Sequence, residues 1–200
     1  MKNRFYLPVA LGALALTAAS SPAALVYSGF QNIAITNSFD SVYVDVDQFG
    51  NSPTQASGWD IDAFFGGEAF GNSANFQPVR QTVAVDSAIL RLDLGEVIDG
   101  SRNYYHAEAG SSTHIGTAPG QFASGVTGYL GFRFIANNAA GPYFGWMRVN
   151  LSNTGEIGKI LDWTYENSGA AITVGAIPEP TSFALAGLGC AMLLLRRRKS

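Results

Sequence analysis

The sequence predicts an all-β protein, a two-sheet antiparallel sandwich with jelly-roll-like character. Short runs of alternating apolar and polar residues recur through the middle of the 200-residue chain, without the apolar spacing of an amphipathic helix. Clusters of glycine, asparagine, serine and proline separate the runs, and aromatic residues make up 12% of the sequence. Strands with one apolar face need a second sheet to cover that face, which favours a sandwich.

Nine runs are predicted as strands, and alternation assigns two faces to each. In the run 42–46, the three valines point one way, while Tyr43 and Asp45 point the other way. In the run 159–165, Leu161 is expected on the same face as Trp163. The predicted strands cover residues 24–27, 33–36, 42–46, 59–65, 79–85, 128–136, 143–151, 159–165 and 171–174.

Residues 101–124 are predicted to form a long loop that holds both histidines, His106 and His114. Loops of this length are uncommon in compact domains and are often functional. A metal pair is conceivable, but no cysteine is close in the sequence and no nucleophile motif precedes either histidine. The sequence therefore favours two exposed loop histidines.

Aromatic residues on the predicted strands are candidates for a sugar-stacking platform, although such residues more often form core or cross-strand pairs. Trp146 is expected on the same face as Arg148 and Asn150, where an exposed site could form. The candidates are Trp59, Trp146, Trp163, Tyr143 and Tyr165.

The N-terminal segment 1–23 has the pattern of a secretory signal peptide. Lys2 and Arg4 precede an apolar stretch at 5–19, and small residues at Ser21 and Ala23 suit a cleavage site. A retained membrane anchor is the alternative, but the early Pro8 and the small-residue site favour cleavage. We therefore expect a single extracellular domain over residues 24–177.

The expected domain is strongly acidic. The whole chain has a net charge of −3, but residues 24–177 contain six basic and 14 acidic residues, a net charge of −8. Such a surface repels phosphate backbones, so nucleic-acid binding is disfavoured. The one cysteine, Cys190, lies outside this region, so the domain has no internal disulfide.

The C-terminal segment 178–200 has three parts in a fixed order. Pro178-Glu179-Pro180 ends the domain, because proline disrupts both strand pairing and helix interiors. A predicted transmembrane helix of about 15 residues follows, roughly 22 Å long against a bilayer core of about 30 Å. The helix includes Phe183, Leu185, Leu188, Leu193, Leu194 and Leu195, and the cytoplasmic basic end is Arg196, Arg197, Arg198 and Lys199.

This ordered triple over Pro178 to Lys199 resembles the PEP-CTERM sorting signal. An ordinary membrane anchor would explain the apolar and basic parts but not the Pro-Glu-Pro. The resemblance implies recognition by an exosortase-type membrane protease in a bacterium that makes extracellular polysaccharide, which is a possible partner. It also implies export as an inner-membrane-anchored precursor, followed by residence at the cell surface or in the extracellular matrix.

The segments 58–62 and 65–67, and later 143–149 and 161–166, resemble stretches of uncharacterised PEP-CTERM surface proteins. This second likeness carries no catalytic residues across to the chain.

Four aspartates form the main candidate site: Asp45, Asp47, Asp60 and Asp62. Residues two apart on a strand share a face, and the two pairs could meet across a hairpin. Carboxylates from neighbouring strands could bind Ca²⁺, which takes six to eight oxygen ligands, although no EF-hand loop is present. The alternative is two solvated polar strand faces without a metal.

The expected function is that of a non-enzymatic structural or adhesive protein of the cell surface or matrix. One alternative is a secreted glycan-active hydrolase, in which Asp60 and Asp62, or Glu68 with either, would form the carboxyl pair that glycoside hydrolysis requires. The other is a Ca²⁺-dependent carbohydrate-binding module. No cofactor other than this possible Ca²⁺ is expected.

Overall fold

The computed structural model describes residues 24–39, 41–84, 87–106, 114–137 and 141–178. In these ranges the strands pair only antiparallel, so the predicted all-β antiparallel fold is confirmed. The two predicted terminal helices lie outside them. The strands are β1 (Leu25–Tyr27), β2 (Ile33–Ile35), β3 (Val42–Asp45), β4 (Gly50–Ser52), β5 (Ile61–Phe64), β6 (Ala69–Asn72), β7 (Phe76–Pro78), β8 (Arg91–Leu92), β9 (Val97–Ile98), β10 (Thr127–Phe134), β11 (Tyr143–Asn150), β12 (Gly158–Glu166) and β13 (Ile172–Thr173).

These strands form three sheets. The largest has the order β1-β12-β11-β10-β7, with β2 also pairing with β12 and β8 with β10. The second has the order β4-β3-β5-β6, and β9 and β13 form a two-stranded sheet. A short 3₁₀-helix at Phe65–Gly67 links β5 to β6.

The main core lies between the seven-stranded and four-stranded sheets. Val44 and Ile61 of the smaller sheet and Met147 and Trp163 of the larger one are fully buried in this cluster. Alternation therefore turns Tyr43 toward the outer face of the four-stranded sheet. Two sheets covering a shared apolar layer is the arrangement that the sequence pattern predicted.

A second core covers the opposite face of the seven-stranded sheet, where Phe144 and Trp146 pack against Ile98 of β9 and Ile172 of β13. Trp146 is only 3% exposed, so the expectation of an open face around it was wrong. Of the β9–β13 sheet that covers it, only β13 was predicted, within the run 171–174, while the two-residue strand β9 was missed.

A β-bulge corrects the predicted faces of β12. Arg148 pairs with Asp162, but the next residue, Val149, pairs with Ile160, so Leu161 is an extra residue in the ladder. Ile160 is therefore fully buried in the main core together with Trp163, while Leu161 is only half-buried. Strict alternation had placed Leu161 in that position.

The predicted strand at 79–85 was also wrong in its described part, 79–84. Val79 and Arg80 make only isolated bridges, to Tyr104 and Ile89, and the strand β7 ends just before them. Arg80 is completely buried, and its guanidinium donates to the carbonyls of Tyr105 and Ser87. These side-chain bonds, together with backbone bonds from Val79 to Gly131 and from Arg80 to Asn103, hold the segment without a regular ladder.

Residues near both ends of the described domain contact the second core. Leu25, near the first described residue, and Ala176, near the last, both pack against the second core. The four-stranded sheet lies across the opposite face of the seven-stranded sheet from this second core. Within the described ranges, no helix has the length and hydropathy needed to cross a membrane.

Candidate functional site

Three of the four candidate aspartates come together where β3 ends and β5 begins. One ligand atom from each of Asp45, Asp47 and Asp60 can be chosen so that all lie within 4.8 Å of one another. Asp60 directly precedes β5, and its backbone N–H donates to the carbonyl of Val44 at 2.8 Å. The antiparallel β3–β5 pairing thus brings the carboxylates of two strands to one point.

Asp60 is the most buried of the three, with 5% of its surface exposed. Its Oδ2 accepts a hydrogen bond of 2.8 Å from the backbone N–H of Val46. Burial raises the pKa of the Asp60 carboxyl to about 7, because the charged form loses hydration. The Val46 N–H opposes this rise, and the neighbouring charges of Asp45 and Asp47 add to it.

The pKa of Asp45 is raised to about 6, first by burial and then by a side-chain hydrogen bond with Asp47. The backbone N–H of Gln48 donates to Asp45 Oδ1 at 3.0 Å and partly offsets this rise. A hydrogen bond between two carboxyl groups requires a proton on one of them. The raised pKa of Asp45 means that its charged form is unfavourable beside Asp47.

Two further residues shape the site, and neither was singled out in the sequence. The backbone N–H and side-chain amide of Asn137 donate to Asp47 at 3.0 and 3.1 Å. Gly58 has a φ of +85°, and a Cβ there would lie 3.1 Å from both Asp45 Oδ2 and Asn137 Nδ2. Asn137 is 90 residues from Asp47 in the chain, so local sequence could not reveal the contact.

Asp62 lies outside this cluster. It pairs across the sheet with Tyr43 and lines a separate cleft with Asn72, Ser73 and His106. Asp60 and Asp62 lie on either side of Ile61 in the chain. Only Asp60, which directly precedes β5, lies beside the end of β3. We refer to Asp45, Asp47 and Asp60 as the carboxylate triad.

The two histidines occupy different environments. His114 is fully buried, its Nε2 lies 2.8 Å from the carbonyl oxygen of Gly67, and its ring packs on Phe70. The expectation of an exposed loop histidine was therefore wrong for His114. His106 is half-buried, with its Nδ1 3.1 Å from Asn72 Nδ2.

The structure also separates the candidate aromatic residues. Trp146, Trp163 and Tyr165 are buried in the two cores, so they cannot form an exposed platform. Trp59 is half-buried and packs edge to face against Tyr43 on the outer face of the four-stranded sheet.

A hydrogen bond from Trp146 holds the C-terminal end of the folded domain at Ala176. The indole Nε1 of Trp146 donates to the carbonyl of Ala176 at 3.1 Å, and beyond it Ile177 is 51% exposed. A family model for the PEP-CTERM protein-sorting motif matches residues 176–199. The chain carries a PEP-CTERM sorting motif. The resemblance noted in the sequence is thereby confirmed, and the motif marks the chain as an exosortase-targeted, exported surface protein with a membrane-anchored precursor.

Only the first residues of the PEP-CTERM motif fall within the described part of the chain. Pro178 is exposed there, whereas Glu179, Pro180, the predicted membrane helix and the basic end lie outside it. The predicted signal peptide at 1–23 also lies outside. No curated protein and no solved structure is significantly similar to this PEP-CTERM protein.

Proposed function

We propose that the β-domain of this PEP-CTERM protein is a non-catalytic structural or adhesive component of the cell surface or extracellular matrix. The observation that carries the proposal is the direct junction between domain and sorting motif. The match begins at Ala176, whose carbonyl is held by Trp146 in the second core. The folded domain is therefore the cargo that sorting delivers.

Extracellular polysaccharide is the proposed environment of this cargo. A domain with a net charge of −8 over residues 24–177 is soluble and does not attract anionic polymers. Its described fold is held by two packed cores, with no disulfide available within these residues. These properties suit a passive or adhesive matrix component that remains folded outside the cell.

The test is a deletion strain of the source bacterium, complemented with the full-length chain or with a variant in which Pro178, Glu179 and Pro180 are replaced by alanine. We expect the deletion to reduce cell aggregation or matrix retention, and only the wild-type chain to restore it. Unchanged aggregation and matrix composition in the deletion strain would contradict the proposal.

The carboxylate triad favours a second candidate, a Ca²⁺-dependent binding module. Three carboxylates with oxygens within 4.8 Å repel one another, and a divalent cation would relieve that repulsion. Burial is the main cause of the raised pKa values of Asp45 and Asp60, and the neighbouring carboxylates add to both rises. Backbone carbonyls and water would have to complete a Ca²⁺ shell of six to eight oxygens.

Calorimetric titration of the full-length chain with Ca²⁺ tests this candidate. We expect heat of binding and a higher melting temperature for the wild type and for Asp62→Asn, because Asp62 lies outside the triad. Asp47→Asn and Asp60→Asn should bind much more weakly. Equal responses from all four proteins, or no response from any, would refute Ca²⁺ binding at the triad.

Glycan hydrolysis is the competing enzymatic hypothesis. Asp60 has the raised pKa of a general acid, but its burial and its bond to Val46 hold it away from bulk solvent. Reducing-sugar release from matrix glycans by wild type, but not by Asp60→Asn, would favour a hydrolase and overturn the non-catalytic proposal.

A further inference from the structure

An aromatic ridge divides two clefts on the outer face of the four-stranded sheet. The ridge consists of Tyr43 and Trp59, whose ring centroids are 5.3 Å apart at an interplanar angle of 85°. Both residues line both clefts, one of about 170 Å³ beside β4 and one of about 450 Å³ beside β6. Together the clefts reach the size range of small-molecule sites.

The clefts combine aromatic surface with uncharged hydrogen-bonding groups. Amides and hydroxyls supply both donors and acceptors, which matches the alternating hydroxyl groups of a sugar. Among the described lining residues the only carboxylates are Asp45 and Asp62, and none is a lysine or arginine, so an anionic ligand is disfavoured. The uncharged polar lining residues are Gln48, Asn51, Ser52 and Ser57 on one side and Gln55, Asn72 and Ser73 on the other.

Ser73 provides an independent sign of a ligand site in the larger cleft. Its hydroxyl is shielded from solvent and has no hydrogen-bond partner among the described residues. Its backbone is fixed, because the Ser73 N–H donates to the carbonyl of Asp60 at 2.8 Å. A buried hydroxyl without a partner costs free energy, and because Ser73 lines the cleft, rotation of its side chain toward the cleft would let a polar ligand group supply the missing bond.

We propose that this ridge and its two clefts bind a neutral saccharide chain, with a sugar ring stacked on Tyr43 or Trp59 and neighbouring units in the clefts. Aromatic and acidic groups could also attract a small organic cation. Clefts on both sides of a ridge, however, suit consecutive sugar units of a chain better than a single cation. The inference rests on the proposed adhesive function and names its ligand class.

The position of the ridge suits this role. Tyr43 and Asp62 face outward from the four-stranded sheet, whereas Leu25 and Ala176 pack on the opposite side of the seven-stranded sheet. The ridge therefore lies on a surface that the second core and the Trp146–Ala176 contact leave uncovered.

The test measures binding of the full-length chain, purified in detergent, to a panel of neutral oligosaccharides: cello-, laminari-, malto-, xylo- and mannohexaose. Trp59→Ala should weaken binding about tenfold, through loss of the stacking surface. Ser73→Ala should weaken it without lowering the melting temperature, since that hydroxyl has no structural partner among the described residues. Phe30→Ala, at an exposed aromatic residue away from the ridge, is the control.

The outcomes separate this inference from the adhesive function. Binding by the wild type that Trp59→Ala and Ser73→Ala weaken and Phe30→Ala does not would support it. The cation tetramethylammonium serves as a comparison ligand. No binding to any neutral oligosaccharide, whether or not tetramethylammonium binds, would overturn the inference, and so would equal binding by all variants. Loss of matrix retention in the deletion strain together with no saccharide binding would leave the adhesive function standing and remove this ligand class.

Discussion

The indole of Trp163 donates a 3.0 Å hydrogen bond to the carbonyl of Val46, and this contact joins the two large sheets beside the carboxylate triad. Trp163 is fully buried on β12, and Val46 lies between Asp45 and Asp47. The N–H of Val46 in turn donates to Asp60. One peptide segment thus positions the triad and is itself held by the core.

Replacement of Trp163 by phenylalanine tests this connection. The variant loses the indole donor and leaves the buried Val46 carbonyl without it, and the smaller ring leaves a cavity. We expect a loss of about 2–4 kcal/mol in the free energy of unfolding, measured by urea denaturation. Trp59→Phe, at a half-buried position, is the matched control and should cost about 1 kcal/mol or less. Equal losses in both would contradict a special role for the Trp163–Val46 bond.

Asp60 should make stability depend on pH in a defined direction. Its pKa is about 7 in the folded state and near 3.8 in the unfolded chain, so the folded state binds the proton more tightly. The resulting stabilisation is fully present below about pH 4 and is lost as pH rises through about 7, with a slope approaching 1.4 kcal/mol per pH unit. Urea denaturation in EDTA across this range measures it.

The control for this prediction is Asp60→Asn, whose amide oxygen can still accept from Val46. The difference in unfolding free energy between wild type and variant isolates Asp60 from the other titrating groups. We expect the free energy of unfolding of the variant to increase relative to that of the wild type as pH rises toward about 8. A difference that stays constant with pH would show that Asp60 ionises normally.

Gly58 is expected to be intolerant of any side chain. A Cβ at its φ of +85° would be strained and would crowd both Asp45 and Asn137. Gly58→Ala should lower the free energy of unfolding by about 1–2 kcal/mol. Gly29→Ala is the control: Gly29 has a φ of +69°, but a Cβ there would have no atom within 4 Å, so this variant measures the backbone strain alone. A greater loss in Gly58→Ala than in Gly29→Ala is the expected result.

The buried carboxylate of Asp162 depends on Arg148 on the neighbouring strand. Arg148 Nε donates to Asp162 Oδ1 at 3.0 Å, and the Asp162 side chain is only 2% exposed. Arg148→Met should cost about 2–3 kcal/mol, because Tyr27 alone then faces a buried charge among the described groups. Arg91→Met, which breaks an exposed pair with Asp93, should cost under about 1 kcal/mol. Thermal denaturation of both variants distinguishes the two pairs.

The sequence predicted most long strands, because alternation over eight residues leaves little ambiguity about the buried face. It missed β4, β6, β7, β8 and β9, which have two to four residues and lie among turn-forming or mixed residues. It also misplaced Leu161, since a bulge that shifts the register leaves no mark in the local pattern. The burial of Trp146 depended on the pairing of β13 with β9, a two-residue strand that the sequence did not reveal.

The candidate site was predictable in part. The sequence identified aspartates that share strand faces, and Asp45, Asp47 and Asp60 are indeed close in space. It could not tell that Asp62 would lie apart, nor that Asn137 and Gly58 would close over the triad. These contacts depend on where β3 ends and β5 begins, and on Asn137, which is 90 residues from Asp47 in the chain.

By itself the sequence determined the all-β class and the sorting motif. Both are local patterns: one is the alternation along each strand, and the other is Pro-Glu-Pro followed by an apolar segment and a basic end. Only the tertiary structure decided which carboxylates meet, which tryptophans are buried, and that Tyr43 and Trp59 form a ridge on the outer face of the four-stranded sheet. These features depend on pairing between distant strands, and pairing fixes distances that no local spacing contains.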